Sequence, residues 1–177
     1  MAATVVIVER NGPDATATET VDPSNVNLGS VDAANLVPAN APLLSQADGH
    51  SFEKWLRIRL TALGDSSIVD NLKVWISNLG GGYLTGEGMS TNLRTSDYIQ
   101  ATYPTGGPVE TNSSVATQVM PTSEPTGPNL GIGGLLTGSF TSAPSDSDYL
   151  VLQLDISELT PRGDLNQKTI TFQYDEQ

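Results

Sequence analysis

Two neighbouring segments in the first half of the chain alternate apolar and polar residues with the strict two-residue period of a β-strand. They cover residues 51–63 (SFEKWLRIRLTAL) and 68–77 (IVDNLKVWIS). Because successive side chains of a strand point to opposite faces of a sheet, each segment has one face for a hydrophobic core and one for another contact. The pattern therefore requires a fold that contains an amphipathic sheet.

The alternation also predicts which residues face the core. On the first strand these are Leu56, Ile58, Leu60 and Ala62, and on the second they are Ile68, Leu72, Val74 and Ile76. The opposite faces carry Trp55, Arg57, Arg59 and Thr61 on the first strand, and Val69, Lys73 and Trp75 on the second. A soluble sheet normally exposes polar side chains on its second face, so the two tryptophans need cover. That cover is either a second layer of the protein itself, an intersubunit contact or a bound sugar.

The rest of the chain reads as short strands separated by glycine and proline turns. Further strands are predicted over 4–8, 15–21, 149–156 and 169–174, with additional candidates over 97–103 and 114–120. The late strands add Leu150, Leu152, Leu154, Ile170 and Phe172 to the predicted core. With 17 Gly and 11 Pro among 177 residues, long helices are not expected. These features predict an all-β fold, a β-sandwich or jelly-roll-like domain with long loops.

The stretch from Asp22 to Gly49 is rich in Asn, Pro, Asp and Ala and has no clear period. Because long structureless loops are uncommon inside compact domains and are often functional, we predict an extended N-terminal arm here, with a short helix over 31–36 as the alternative. Residues 1–50 then hold the N-terminal strands and the arm, residues 51–177 hold the sandwich core, and together they form a single domain. The residues through which the arm is predicted to contact another subunit are Val26, Leu28, Leu36 and Val37.

Charge and composition exclude several classes of partner. The net charge of −12 opposes direct binding to nucleic acid and to anionic membranes, which need a basic surface. The absence of cysteine excludes disulfides, thiol catalysis and cysteine-ligated metals. The longest apolar runs are too short to span a bilayer, and the N-terminus lacks the layout of a signal peptide. We therefore expect synthesis and folding in a cytoplasm.

Residues with catalytic or metal-binding chemistry are few. His50 follows Asp48 closely, but a lone histidine at the start of a strand is usually structural. The run Ser145-Asp146-Ser147-Asp148 offers oxygen ligands for calcium, although a polar turn explains it equally. Arg162-Gly163-Asp164 spells an adhesion tripeptide that a glycine-centred turn also explains. We expect no catalytic residue, metal or cofactor, and hence no enzyme.

Several segments together resemble a known class of proteins. They are GHSFEKWLRIRLTALG, SIVDNLKVWIS, PTSEPTGPNLGIGG, SDSDYLVLQLDISELTPRGD and FQYDE. Over roughly residues 51–176 this pattern resembles small virion proteins of tailed phages and prophages, and within them the capsid decoration, or cement, proteins. The resemblance implies a cofactor-free β-sandwich on the capsid surface that binds the major capsid protein, commonly as a homotrimer, and is made in the host cytoplasm.

The leading hypothesis is a decoration protein that stabilises the phage head by bridging major capsid subunits. Its predicted contact surface combines the arm residues with Trp55, Arg57, Arg59, Lys73 and Trp75. One alternative is a β-domain protein of the tail or baseplate. Another, from a different class, is a carbohydrate-binding module in which Trp55, Trp75 or Tyr83 stacks on sugar rings. A hydrolase is the least favoured reading.

Overall fold

The computed structural model describes residues 1–43, 49–95, 97–98 and 119–177, and the strand prediction is confirmed over much of this range. The fold is all-β and sandwich-like, with short 3₁₀ turns at Asp14–Thr16 and Pro38–Asn40. The strands are β1 (Thr4–Asn11), β2 (Thr18–Val21), β3 (Gly49–His50), β4 (Lys54–Ala62), β5 (Val69–Asn78), β6 (Glu87–Thr95), β7 (Ser145–Asp146), β8 (Tyr149–Ile156) and β9 (Thr169–Glu176).

The strands form two antiparallel sheets. In the larger sheet the strands lie side by side in the order β2, β1, β4, β8 and β6. The short strand β3 pairs with the edge of β8 that also pairs with β4. The short strand β7 pairs with the edge of β4 that also pairs with β8. The smaller sheet contains β5 and β9. The N-terminal strands β1 and β2 thus belong to the same sheet as β4 and β8.

The core lies between the two sheets and matches most of the predicted faces. Leu56, Ile58 and Leu60 of β4 and Leu150 and Leu152 of β8 are fully buried, and they pack with residues from the smaller sheet. The other predicted core residues that are buried are Leu72, Val74, Ile76 and Leu154. Those that are partly buried against the core are Ile170 and Phe172. Ala62 is exposed at the end of β4.

The predicted face of Val69 is wrong. Val69 is fully buried in the core, on the same side as Leu72. The reason is an irregularity in the pairing of β5 with β9 between Asp70 and Lys73, where Asn71 adopts a left-handed backbone with φ of 52°. An extra residue in one strand shifts the alternation of inward and outward side chains by one position. Residues before and after Asn71 therefore follow opposite patterns.

The segment 22–43, called here the N-terminal loop, does not form the predicted arm. Val26 and Leu28 pack against the core, and Leu36 is buried. The backbone N–H of Phe52 donates to the carbonyl of Gly29 (2.9 Å), which joins this loop to the start of β4. The alternative helix over 31–36 is not formed either. The loop therefore closes part of the sandwich instead of extending away from it.

Two other outcomes concern strands. β6 was not predicted, because its sequence EGMSTNLRT is polar and shows no alternation of apolar residues. It nevertheless pairs with β8 along most of its length. The predicted strands over 97–103 and 114–120 lie largely outside the described residues.

Candidate functional site

Trp55 lies on the face of the larger sheet that points away from the core, called here the outer face. Its side chain has no exposed area and packs with Tyr98, Tyr149 and Val151. The ring centroids lie 5.0 Å from Tyr98 and 5.5 Å from Tyr149 in edge-to-face geometry, which is favourable for aromatic pairs. The protein itself therefore covers Trp55, and the prediction that Trp55 contacts a partner or stacks on a sugar is wrong.

Arg57 and Arg59 share the outer face with Trp55, as predicted, but their charges are neutralised within the chain. Asp146 lies 3.0 Å from Arg57 and 2.6 Å from Nε of Arg59. Glu19 pairs with both arginines, at 2.9 Å from Arg59. This four-residue ionic cluster (Glu19, Arg57, Arg59 and Asp146) joins β2, β4 and β7 across the sheet.

The ionic cluster shifts the pKa of Glu19 and of Arg59. Burial alone would raise the pKa of Glu19, but the hydrogen bond from Arg59 and the charges of Arg57 and Arg59 outweigh it, and the pKa is lowered. Hydrogen bonds to Asp146 and Glu19 raise the pKa of Arg59. Arg57 also lies over the ring of Tyr149, 5.0 Å from its centroid. These contacts fix both arginine side chains on the outer face.

Lys73 and Trp75 lie on the other side of the sandwich, on the outward face of β5. The Nζ of Lys73 is 3.0 Å from Glu124, and the residue is buried. Trp75 is half-buried. Because the outward faces of the two sheets point in opposite directions, the structure does not bring these residues together with Trp55, Arg57 and Arg59. The predicted contact surface is therefore two separate surfaces.

The N-terminal loop contributes little of the predicted contact surface. Leu36 is buried, Val26 and Leu28 are partly buried against the core, and Val37, 55% exposed, is the most accessible of the four predicted residues.

A buried ion pair explains why the N-terminal loop is held in place. Lys54 continues the core-facing side of β4, and its Nζ lies 2.6 Å from Glu9 on β1, with both side chains almost fully buried. The same Nζ donates to the carbonyl of Ala33 in the loop. Asn11 donates to Glu9 (3.0 Å) and to Asp32 (2.9 Å). This buried polar network was not predicted, because its members are far apart in the sequence.

The side chains of His50 and Asp148, which have catalytic or metal-binding chemistry, form hydrogen bonds within the fold. His50 Nδ1 lies 2.7 Å from Asp155, and Ser90 donates to the other oxygen of the same carboxylate at 2.6 Å. A nucleophilic serine needs the histidine as its base, whereas here the aspartate lies between the two. Asp148 accepts hydrogen bonds from the backbone N–H of Gly134. Within the described parts of the chain, no group of three or more His, Asp or Glu is placed to hold a metal ion.

A groove lies between β1 and β9, on one flank of the sandwich. This β1–β9 groove has a volume of about 420 Å³. Its lining is mainly apolar and comprises Val5, Val6, Ile7, Asp22, Ile58, Ile170, Thr171, Phe172 and Tyr174. It lies between strands of different sheets, since β1 belongs to the larger sheet and β9 to the smaller one. No sequence signal predicted it, since it depends on the order of the strands.

Comparison with known proteins yields no match to a family model, a curated protein or a solved structure. The described residues also contain no helix that is long and apolar enough to cross a membrane.

Proposed function

We propose that this chain is a structural protein of a virus particle, a head decoration protein that binds the major capsid protein as a homo-oligomer. The observation that carries the proposal is the β1–β9 groove, which is lined by apolar side chains of both sheets. Grooves of this kind bind other chains by burying apolar surface. The resemblance to small phage virion proteins supports the capsid as the partner.

The sandwich suits such a task physically. Several of its charged side chains take part in internal pairs, such as the ionic cluster and the buried pair of Lys54 with Glu9. A protein that bridges capsid subunits stabilises the shell because it binds the assembled state and not the separated subunits. Stable attachment needs roughly 1,000 Å² or more of buried surface, which oligomerisation, as in a trimer, would multiply.

The test is the copy number of this chain in purified particles. A decoration protein should approach the abundance of the major capsid protein, and heads that lack it should release DNA at a lower temperature. A copy number of only a few per particle would favour the tail or baseplate alternative. Purified protein that fails to co-sediment with capsids and stays monomeric in sedimentation would contradict the proposal.

Trp75 favours a second candidate function, carbohydrate binding. It is half-buried on the outward face of β5, beside the pair of Lys73 with Glu124, and an accessible indole can stack on a sugar ring. Binding to a glycan array that is lost in Trp75→Ala but kept in Val37→Ala would support this function. Equal binding by both variants would remove Trp75 from it.

A further inference from the structure

In the part of the chain that the structure describes, the edge of β9 that borders the β1–β9 groove is open. Among the residues that the structure describes, β9 pairs with β5 alone. Edge strands are usually protected by short length, by charged residues or by proline. β2 at the edge of the larger sheet follows this rule, with four residues that include Glu19. β9 has eight residues, and from Thr169 to Tyr174 it contains neither a charge nor a proline.

The groove continues this open edge with apolar side chains. Ile170, Phe172 and Tyr174 are half-buried on one side, and Val5 and Ile7 of β1 are half-buried on the other. An extended chain laid along β9 would pair with its backbone and place every second side chain in the groove. This is the recognition mode in which a peptide adds a strand to a sheet.

The charges near the groove are acidic at both ends. The carboxylate of Asp22 accepts a hydrogen bond from the backbone N–H of Ile7 (3.0 Å) at one end. Beyond the other end, two residues past the lining residue Tyr174, the carboxylate of Glu176 accepts one from the N–H of Ala3 (3.0 Å). Ala3 and Ile7 are four residues apart along an extended strand, so the two ends are separated by about 13 Å. No Lys or Arg is among the described residues that line the groove.

We propose that the β1–β9 groove binds an extended segment of a partner protein, with alternating apolar side chains and a basic residue at each end, as an additional strand on β9. This inference rests on the proposed function only where it identifies the partner as the major capsid protein. A second copy of this chain fits less well. Its own β9, added antiparallel, would bring Asp175 and Glu176 towards Asp22, and like charges would repel.

The test uses the purified chain and a seven-residue probe peptide. The probe has lysine at both ends, threonine at positions two, four and six, and valine and isoleucine at positions three and five. Its two lysine Cα atoms are about 20 Å apart when the peptide is extended, so each lysine reaches back by about 3–4 Å, which its flexible four-carbon stem allows. Its binding is measured by titration calorimetry at low ionic strength, and its site by amide hydrogen exchange. We expect binding, with alternate amides of residues 169–176 becoming protected, because only N–H groups on the open edge gain partners.

A matched pair of variants tests the charges. Asp22→Asn with Glu176→Gln neutralises one carboxylate at each end and retains the side-chain oxygens. Glu158→Gln with Asp164→Asn makes the same changes at exposed residues that do not line the groove. Loss of both carboxylate charges is expected to weaken binding of the probe about tenfold, and added salt should reduce this difference. The control variant should bind like the original chain.

Each other outcome overturns the proposal. If the probe does not bind at millimolar concentration, or binds without protecting β9, strand addition is wrong. Equal affinity for the two variants would overturn the basic partner. Protection of β9 by self-association, without the probe, would make a second copy the occupant. Capsid occupancy is measured separately. A chain that decorates capsids but fails these tests leaves the proposed function standing. A chain that binds the probe but does not decorate capsids leaves strand addition standing and excludes the major capsid protein as the partner.

Discussion

At the scale of single residues, the buried charges are the least expected feature of this protein. Lys54 occupies a position that the alternation of β4 assigns to the core, and it is buried with Glu9 as its partner. Breaking such a pair costs more than the pair contributes, because the remaining charge stays buried without a counter-ion. Replacing one member of the pair should therefore lower the free energy of unfolding more than replacing both.

We expect Lys54→Met to lower the free energy of unfolding by about 3–5 kcal/mol, because Glu9 is left uncompensated. The double variant Lys54→Met with Glu9→Gln should be less destabilised than Lys54→Met alone. Urea unfolding followed by tryptophan fluorescence measures both. A double variant whose loss equals the sum of the two single losses would show that the two side chains are not coupled.

Glu19 makes stability depend on pH. Its pKa is lower in the folded chain than its ordinary value of 4.5, so the folded state favours the ionised form. The stabilisation is therefore fully present above about pH 4.5 and is lost as the pH falls through the lower, folded-state pKa. Because the group is partly exposed, we expect the contribution to be about 1 kcal/mol or less.

The measurement compares the original chain with Glu19→Gln at several pH values. The variant should be less stable at pH 7, and the difference should shrink towards pH 3. Asp164→Asn serves as the control, since Asp164 is exposed and lies in the loop before β9. A difference between Glu19→Gln and the original chain that stays constant from pH 7 to pH 3 would contradict the role of Glu19.

At the scale of elements, the bulge in β5 sets which residues of the smaller sheet reach the core. Asn71 has φ of 52°, a conformation that glycine and asparagine tolerate and β-branched residues do not. Its side chain also donates to Asp175 on β9 (2.6 Å). The bulge lets Val69 and Leu72 point to the same side, which a regular strand forbids.

We expect Asn71→Val to be less stable than Asn71→Gly by about 1–2 kcal/mol, because valine is strained at positive φ. Both variants lose the hydrogen bond to Asp175, so the difference between them isolates the backbone conformation. Thermal unfolding measures it. Equal stability of the two variants would mean that the strand can straighten at this point without cost.

At the scale of the whole molecule, the N-terminal loop acts as part of the wall of the sandwich. Replacing residues 24–40 by a glycine-serine linker of equal length should remove the cover of the core and of the Lys54–Glu9 pair. We expect a loss of cooperative unfolding and binding of a hydrophobic dye such as ANS. A cooperative unfolding transition that stays unchanged would show that the loop is dispensable, as the interpretation as a free arm requires.

The sequence predicted the all-β class and the faces of β4 and β8, because these depend on alternation within one strand. It failed where a conclusion depends on contacts between distant segments. Val69 was misplaced since the bulge is formed against β9. The partners of Arg57 and Arg59 are Glu19 and Asp146, which precede and follow them by many residues. The groove is lined by residues of β1 and β9, which are far apart in the sequence, so no local pattern encodes it.

The pairing of β5 with β9 has a consequence for how the protein is made. Val74 lies opposite Phe172, so β5 leaves the ribosome long before its partner strand exists. At ordinary rates of translation, the intervening chain takes roughly 5–20 seconds to synthesise. During that time the apolar side of β5 has no partner strand beside it, and a nascent chain in this state can aggregate or bind a chaperone. Completion of the smaller sheet thus waits for the synthesis of β9, and translation sets its time.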